Sequence, residues 1–309
     1  MITTVTLNTS IDRLYTVDRL EDYTVMRVKD CVPAAGGKGL NVSRNVKLLG
    51  SPLVATGFVG GHAGGFIKEK LRQDGIAYDF CEFGGESRVC INVKELSTGR
   101  QTEFLEPGDE LTGADVKSFL RKFASLLKAT DVVTLSGSIP RGVPDDIYST
   151  LIRMTKDEGK KVILDSSGRV LAESLLACPT VIKPNAEELG QILKVDIADR
   201  YSVINCAKQL YNGGIEYVLV TLGSDGMVMV CREGIFYARP PKVPVKNTVG
   251  CGDSTVAAVA VSLAEGLSAQ EMLKKAVATS AANAMNARTG WFDRIDYDSI
   301  IDHVSIIKY

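Results

Sequence analysis

The chain has 309 residues, 45% of them apolar, with a formal net charge of −1. That length accommodates one large α/β domain, or two average ones, with a sizeable core. The charge balance offers no broad basic surface for nucleic acid or an anionic membrane, although a small anionic ligand needs only a local cluster of cations.

Residues 2–7 alternate Thr with Ile, Val and Leu and predict a first strand. With no basic segment and no continuous apolar run, this start is not expected to be a signal peptide. No stretch approaches the length of a membrane span. The seven cysteines (Cys31, Cys81, Cys90, Cys178, Cys206, Cys231 and Cys251) are odd in number and form no C-x-x-C pair. They read as reduced thiols in a reducing compartment rather than a disulfide frame or zinc site, so the cytoplasm is expected.

Residues 15–32 are polar, alternating and β-like. The cluster Gly36-Gly37-Lys38-Gly39-Leu40-Asn41 follows, ahead of a helix carrying Val42, Val46 and Leu49. It is not a Walker A loop, because Gly39 stands where that loop has Ser or Thr. Its N–H groups, Lys38 and Asn41 suit a polyhydroxy or phosphorylated ligand; a turn with a solvated lysine is the alternative. A strand is predicted at 53–58, running into a glycine-rich stretch, 57–65, that matches a dinucleotide fingerprint only loosely, with His62 as ready to be a surface residue. Residues 89–104 form a second β-like segment with a Ser97-Thr98-Gly99 turn. Together with 15–32 it predicts a small separate sheet, a lid over a cleft.

Beyond it, helical periodicity at Val116, Phe119, Phe123 and Leu127 alternates with strands at 132–136 and 161–165. It recurs at Ile147, Leu151 and Met154. A strand at 181–183 leads into Lys183-Pro184-Asn185-Ala186-Glu187-Glu188. Asn185 and Glu188 have the spacing of a capping box, with a magnesium role for Glu188 through water as the second reading. A helix at 203–211 and a strand at 217–221 follow. The turn from Thr221 through Gly223 to Gly226 reads as a hairpin or as a ledge beside a nucleotide. Last comes Gly250-Cys251-Gly252-Asp253, opening the apolar helix 255–264. Its backbone donors and helix N-terminus suit an anion, and Asp253 is either a catalytic base or an ordinary cap. A further helix covers 272–277. The strand–helix alternation predicts an α/β domain with a mostly parallel sheet between helical layers.

In this order the motifs resemble the PfkB family of carbohydrate kinases, and specifically its hexose-phosphate branch, along nearly the whole chain. The resemblance implies a ribokinase-like three-layer αβα fold over 1–309, with lid segments at about 12–32 and 87–106. It implies ATP and Mg²⁺ as cofactors, Asp253 as base, and N–H donation from Gly250, Cys251 and Gly252 to the transferring phosphoryl group. Substrate contacts are implied at Asp12, Arg27, Gly37, Lys38, Asn41, Arg88 and Ser138, with Arg27, Lys38 and Arg88 holding a substrate phosphate. Nucleotide contacts are implied at Lys183, Asn185, Thr221, Gly223, Gly226 and Asn283, and a water-bridged Mg²⁺ at Glu188. Cys251 stands where the family more often has Ala or Ser, which should leave catalysis intact but sensitise the enzyme to thiol reagents. Asn8-Thr9 stands where the branch often has Asn-Pro and is expected not to touch the chemistry. The implied reaction converts a ketohexose monophosphate to a bisphosphate, with tagatose 6-phosphate preferred over fructose 1-phosphate or fructose 6-phosphate. A homodimer is implied, with neither nucleic acid nor membrane as partner. A non-catalytic sugar-phosphate sensor would need a lost base or a broken magnesium motif, and Asp253 and Glu188 are both present.

Overall fold

The computed structural model describes all residues from 1 to 309. A ten-stranded sheet forms the centre, in the order Ser305–Lys308, Gly234–Arg239, Met227–Cys231, Tyr217–Thr221, Val181–Ile182, Lys161–Asp165, Val132–Ser136, Ile2–Thr6, Leu53–Gly60 and Cys81–Phe83. The first three of these strands pair antiparallel; from Tyr217–Thr221 onward all pairs are parallel.

Successive side chains of a strand point to opposite faces, so a sheet covered on both faces needs apolar residues at consecutive positions. That is what Tyr217–Thr221 supplies. Leu219 packs into one core with Ile163 and Met229, while Val218 and Val220 pack into the other with Val162, Leu164, Val228 and Val230. The first core is closed by the helices Lys38–Leu48, Gly61–Gln73, Cys251–Glu265 and Ala269–Ala284. The second is closed by Gly113–Leu127, Ile147–Asp157, Ala186–Leu193 and Arg200–Asn212. The result is a three-layer α/β arrangement.

A separate four-stranded sheet has the order Asp30–Gly36, Ser10–Val17, Arg88–Glu95 and Gln101–Leu105. Its central pair is parallel, in the register Ser10 to Arg88, and its outer pairs are antiparallel. The β-like reading of 15–32 differs from the fold at residues 18–29, which form no strand and are mostly exposed. The strand predicted at 181–183 stops at Ile182. Lys183 lies just past its end, where the chain turns into Pro184, and so is free to send its ammonium group sideways.

Candidate active site

Most of the polar motifs lie where parallel strands end, at the carboxyl edge on which open α/β sheets bind ligands. The strands Ile2–Thr6, Val132–Ser136, Lys161–Asp165, Val181–Ile182 and Tyr217–Thr221 lead respectively to Asn8, Ser138, Asp165, Lys183 and Thr221. Two helix N-termini face this edge. The helix Lys38–Leu48 packs against Cys251–Glu265 through two polar pairs one turn apart: Asn41 Nδ2 donates to Asp253 Oδ2 at 2.7 Å, and Ser254 Oγ donates to Asn45 Oδ1 at 3.1 Å.

Asp253 is 5% exposed. Burial pushes its pKa up to about 6, with nearby Asp165 adding to the rise and Lys38, the Asn41 hydrogen bond and Lys183 holding it back. A carboxylate tuned in this way is ionised at neutral pH yet basic enough to take a proton. Gly250 caps the helix in the left-handed region, at φ 85°. The N–H groups of Gly250, Gly252 and Asp253 have no acceptor within the chain, whereas Cys251 N–H closes a turn onto Thr248 O at 3.3 Å. The free donor set is therefore shifted from the expected 250–252: Asp253 N–H joins it, and Cys251 N–H is partly engaged.

Beside this loop sits a charged cluster. Asp165 is buried, 3.3 Å from Lys183 Nζ and 3.6 Å from Lys38 Nζ, and its oxygens make no well-directed hydrogen bond. Burial pushes its pKa up, but the combined attraction of Lys183 and Lys38 outweighs this and holds it below the usual carboxylate range. Lys38 is raised chiefly by Asp165, against the effect of burial, and further by Asp253 and Glu188. A Cβ on Gly252 would lie 3.3 Å from Lys183 Nζ, so that ammonium group rests against the Gly250–Asp253 loop.

The cations expected around one substrate phosphate have different settings. Lys38 belongs to the Asp165 cluster. Arg88 donates to Glu106 O at 3.3 Å and Asn8 O at 3.4 Å, while its buried Nε has no partner. Arg27 is exposed in the non-strand part of the small sheet's first segment. Asn8 Nδ2 also donates to Ser138 Oγ at 3.2 Å, which places Asn8 between Arg88 and Ser138. Asp12 accepts from Ser10 Oγ at 2.6 Å and from Gly37 N at 3.4 Å.

On the other side, Asn185 and Glu188 complete a capping box, with Asn185 N donating to Glu188 Oε2 at 2.9 Å and Glu188 N to Asn185 Oδ1 at 2.8 Å. Glu188 keeps its second oxygen free. Thr221 joins the same segment through a bridge to Asn185, and the tight turn from Gly223 to Gly226 links two antiparallel strands. Asn283, expected at the nucleotide, is fully buried. Its Nδ2 donates to Val249 O and Cys251 Sγ and its Oδ1 accepts from Trp291 N, so the amide braces the Gly250–Asp253 loop instead. Cys251 is half-buried, its Sγ donating to Ser280 O at 3.4 Å, and burial pushes its thiol pKa up, which disfavours the thiolate. At the loosely matched fingerprint, the helix Gly61–Gln73 has its N-terminus filled by the chain's own Glu86, which accepts from the N–H groups of His62 and Ala63.

Sequence reasoning missed Arg44, Asp165 and the packing role of Gly290. Gly250 and Gly290 touch backbone to backbone, since a Cβ on Gly250 would lie 2.6 Å from Gly290 N.

Residues 5–290 match the pfkB family of carbohydrate kinases. The chain is similar to tagatose-6-phosphate kinase of Staphylococcus epidermidis, with 38% identity over 312 residues and all of both chains covered. It is also similar to phosphofructokinase-2 of Escherichia coli in complex with substrates and products, at 28% identity and TM-score 0.90, covering 98% of each chain. A tetrameric inhibited form of that enzyme matches equally well. Arabidopsis thaliana ribokinase, complexed with ribose and ATP, shares the fold at 22% identity and TM-score 0.78, covering 97% of this chain and 98% of that one. No helix is long and apolar enough to cross a membrane.

Proposed function

The chain belongs to the pfkB family of carbohydrate kinases and is an ATP-dependent sugar-phosphate kinase, and we propose that its acceptor is a ketohexose monophosphate, tagatose 6-phosphate before fructose 1-phosphate or fructose 6-phosphate. The observation that carries the reading is the setting of Asp253: a buried carboxylate beside free N–H donors and two lysines.

In the reaction the acceptor hydroxyl loses its proton to Asp253 while its oxygen bonds to the γ-phosphorus and the bond to the β–γ bridging oxygen breaks, releasing ADP. The N–H groups of Gly250, Gly252 and Asp253 face the charge that gathers on the transferring group, and Lys183 and Lys38 flank it. Arg88 and Ser138, with Arg27 if the small sheet closes as a lid, hold the acceptor's existing phosphate, while Asp12 and Asn41 border the sugar. Lys183, Asn185, Thr221, Gly223 and Gly226 line the nucleotide side, and Asn283 braces the Gly250–Asp253 loop from behind.

No three His, Cys, Asp or Glu side chains gather into a protein cage for a metal. Mg²⁺ keeps most of its waters, and Glu188, whose second oxygen is free, would hold it through one of them. When bound with ATP, the ion offsets phosphate charge. The exposed Val32 and Leu105, which share one face of the small sheet, favour a homodimer, which light scattering after gel filtration tests. Seven free cysteines favour the cytoplasm.

The deciding experiment is ADP release with Mg-ATP and, separately, tagatose 6-phosphate, fructose 1-phosphate, fructose 6-phosphate, fructose, ribose and adenosine. Highest kcat/KM with tagatose 6-phosphate is expected. Turnover of only unphosphorylated acceptors would overturn the phosphate-site reading.

A further inference from the structure

Arg44 is 3% exposed and makes no ion pair. Its Nη1 donates to Ala35 O at 2.7 Å, its Nη2 donates to Asn41 Oδ1, and its Nε has no partner. A buried guanidinium without a carboxylate is a poor stabilising device, because desolvation opposes its charge. Arg288 opposes that charge further, while Asp74, Asp12 and Asp253 act on it favourably from a distance.

The geometry gives this cation another use. Guanidinium has only donors, so the atom of Asn41 facing it must be the carbonyl oxygen. The amide nitrogen is thereby turned to Asp253 Oδ2, 2.7 Å away. Without Arg44 nothing but the carboxylate itself would choose between the two orientations of the Asn41 amide. Polarisation along the row Arg44, Asn41, Asp253 also strengthens the last hydrogen bond. Asp253 Oδ1 is left without a partner and open to the site.

We infer that Arg44 is a positioning residue for the phosphoryl-transfer reaction: it locks the Asn41 amide, and the amide holds the Asp253 carboxylate with Oδ1 aimed at the acceptor hydroxyl. This rests on Asp253 being the base. The charged groups facing Asp253 are Lys38 on the neighbouring helix, Asp165 at the end of its strand and Lys183 beyond the next strand. Those acting on Arg44 come from the loop carrying Arg288, from Asp74 after the helix Gly61–Gln73, and from Asp12 on the small sheet.

The test measures kcat and KM against pH, with Mg-ATP and tagatose 6-phosphate, for Arg44→Met, Asn41→Ala and the double variant. Arg44→Met should lower kcat roughly 10- to 100-fold, as slight misplacement of a reacting group does, with a much smaller change in the sugar KM. Its acidic limb should move to higher pH, because the carboxylate loses hydrogen-bond support. The double variant should be no worse than Asn41→Ala alone. A folded Arg44→Met that keeps kcat and the acidic limb, or penalties that multiply in the double variant, would overturn the inference. A second measurement needs no variant. In the unmutated protein, NMR resonances of the Asn41 amide and the Arg44 guanidinium should shift together as Asp253 titrates; Arg44 signals indifferent to that titration would count against the row. Asp253→Asn separates the two readings. If it loses turnover while Arg44→Met does not, the base stands and the positioning role falls; if it stays active, the base assignment falls first.

Discussion

Lys183 Nζ lies 3.3 Å from Asp165 Oδ1, with both side chains withdrawn from solvent. The pair is the hub of the charged cluster, because Lys38 reaches the same oxygen from the other side. Asp165→Ala leaves Lys183 as a buried, unpaired cation, which costs about 3–5 kcal/mol when a buried pair is broken. Urea unfolding at pH 7.5 should show that loss. The variant also removes a negative charge that helps raise the Asp253 pKa, so the acidic limb of its residual activity should move to lower pH. Unchanged stability would mean that Lys183 simply swings to solvent.

Asp253 makes the fold less stable where the enzyme works. Its folded-state pKa, near 6, lies above the ordinary 3.8, so the folded chain binds the proton more tightly than the unfolded one. Stability therefore falls as pH rises from about 4 to 6 and is level above that. Two pKa units correspond to roughly 3 kcal/mol. Asp253→Asn, which cannot ionise, should be more stable than the unmutated protein at pH 8 by an amount of that order, and the gap should close near pH 4. The same variant should lose about 10²–10⁴-fold in kcat, the range associated with a positioned base. Equal melting temperatures at both pH values would contradict the burial argument.

The central strands were legible because covered strands need consecutive apolar residues, and 132–136, 161–165 and 217–221 coincide with Val132–Ser136, Lys161–Asp165 and Tyr217–Thr221. The glycine motifs were legible because free N–H groups at helix starts announce themselves locally. Residues whose role depends on what another element brings were not. Arg44 sits three positions after Asn41, a spacing that shares a helix face, but an arginine inside a helix reads as solvated until the packing of Cys251–Glu265 is known. Asp165 ends an apolar strand and gives no sign of the two lysines that converge on it. Asn283 had a polar side chain near the right motif; only the loop over it shows that its amide faces inward.

Gly290 offers a sharp test of that packing. It has φ 62°, and a Cβ there would lie 2.8 Å from both Cβ and Oδ1 of Asn41. Gly290→Ala combines left-handed strain, of order 1–3 kcal/mol, with displacement of the side chain that holds Asp253. The expected result is a kcat loss of roughly 100-fold in a protein that still folds, with a smaller effect on the KM for ATP. A fully active Gly290→Ala would show that Asn41 need not be held where it lies.

Arg88 is half-buried and its guanidinium meets only carbonyl oxygens, leaving a cation uncompensated beside Asn8 and Ser138. Such a group is poised for a dianion, and the phosphate it would hold does not react. Arg88→Ala should therefore act mainly on binding, raising KM for the sugar phosphate by about 10- to 100-fold, as loss of one charged hydrogen bond of roughly 1.5–3 kcal/mol implies, while kcat changes little. Arg88→Lys keeps the charge but not the paired donors and should fall between. Arg27 is the control. It is exposed and lies off the strands, so Arg27→Ala should approach the Arg88→Ala penalty only if the small sheet closes over the acceptor. Steady-state kinetics of the three variants separate a preformed phosphate site from one completed by closure, and an unchanged KM in Arg88→Ala would place the phosphate elsewhere.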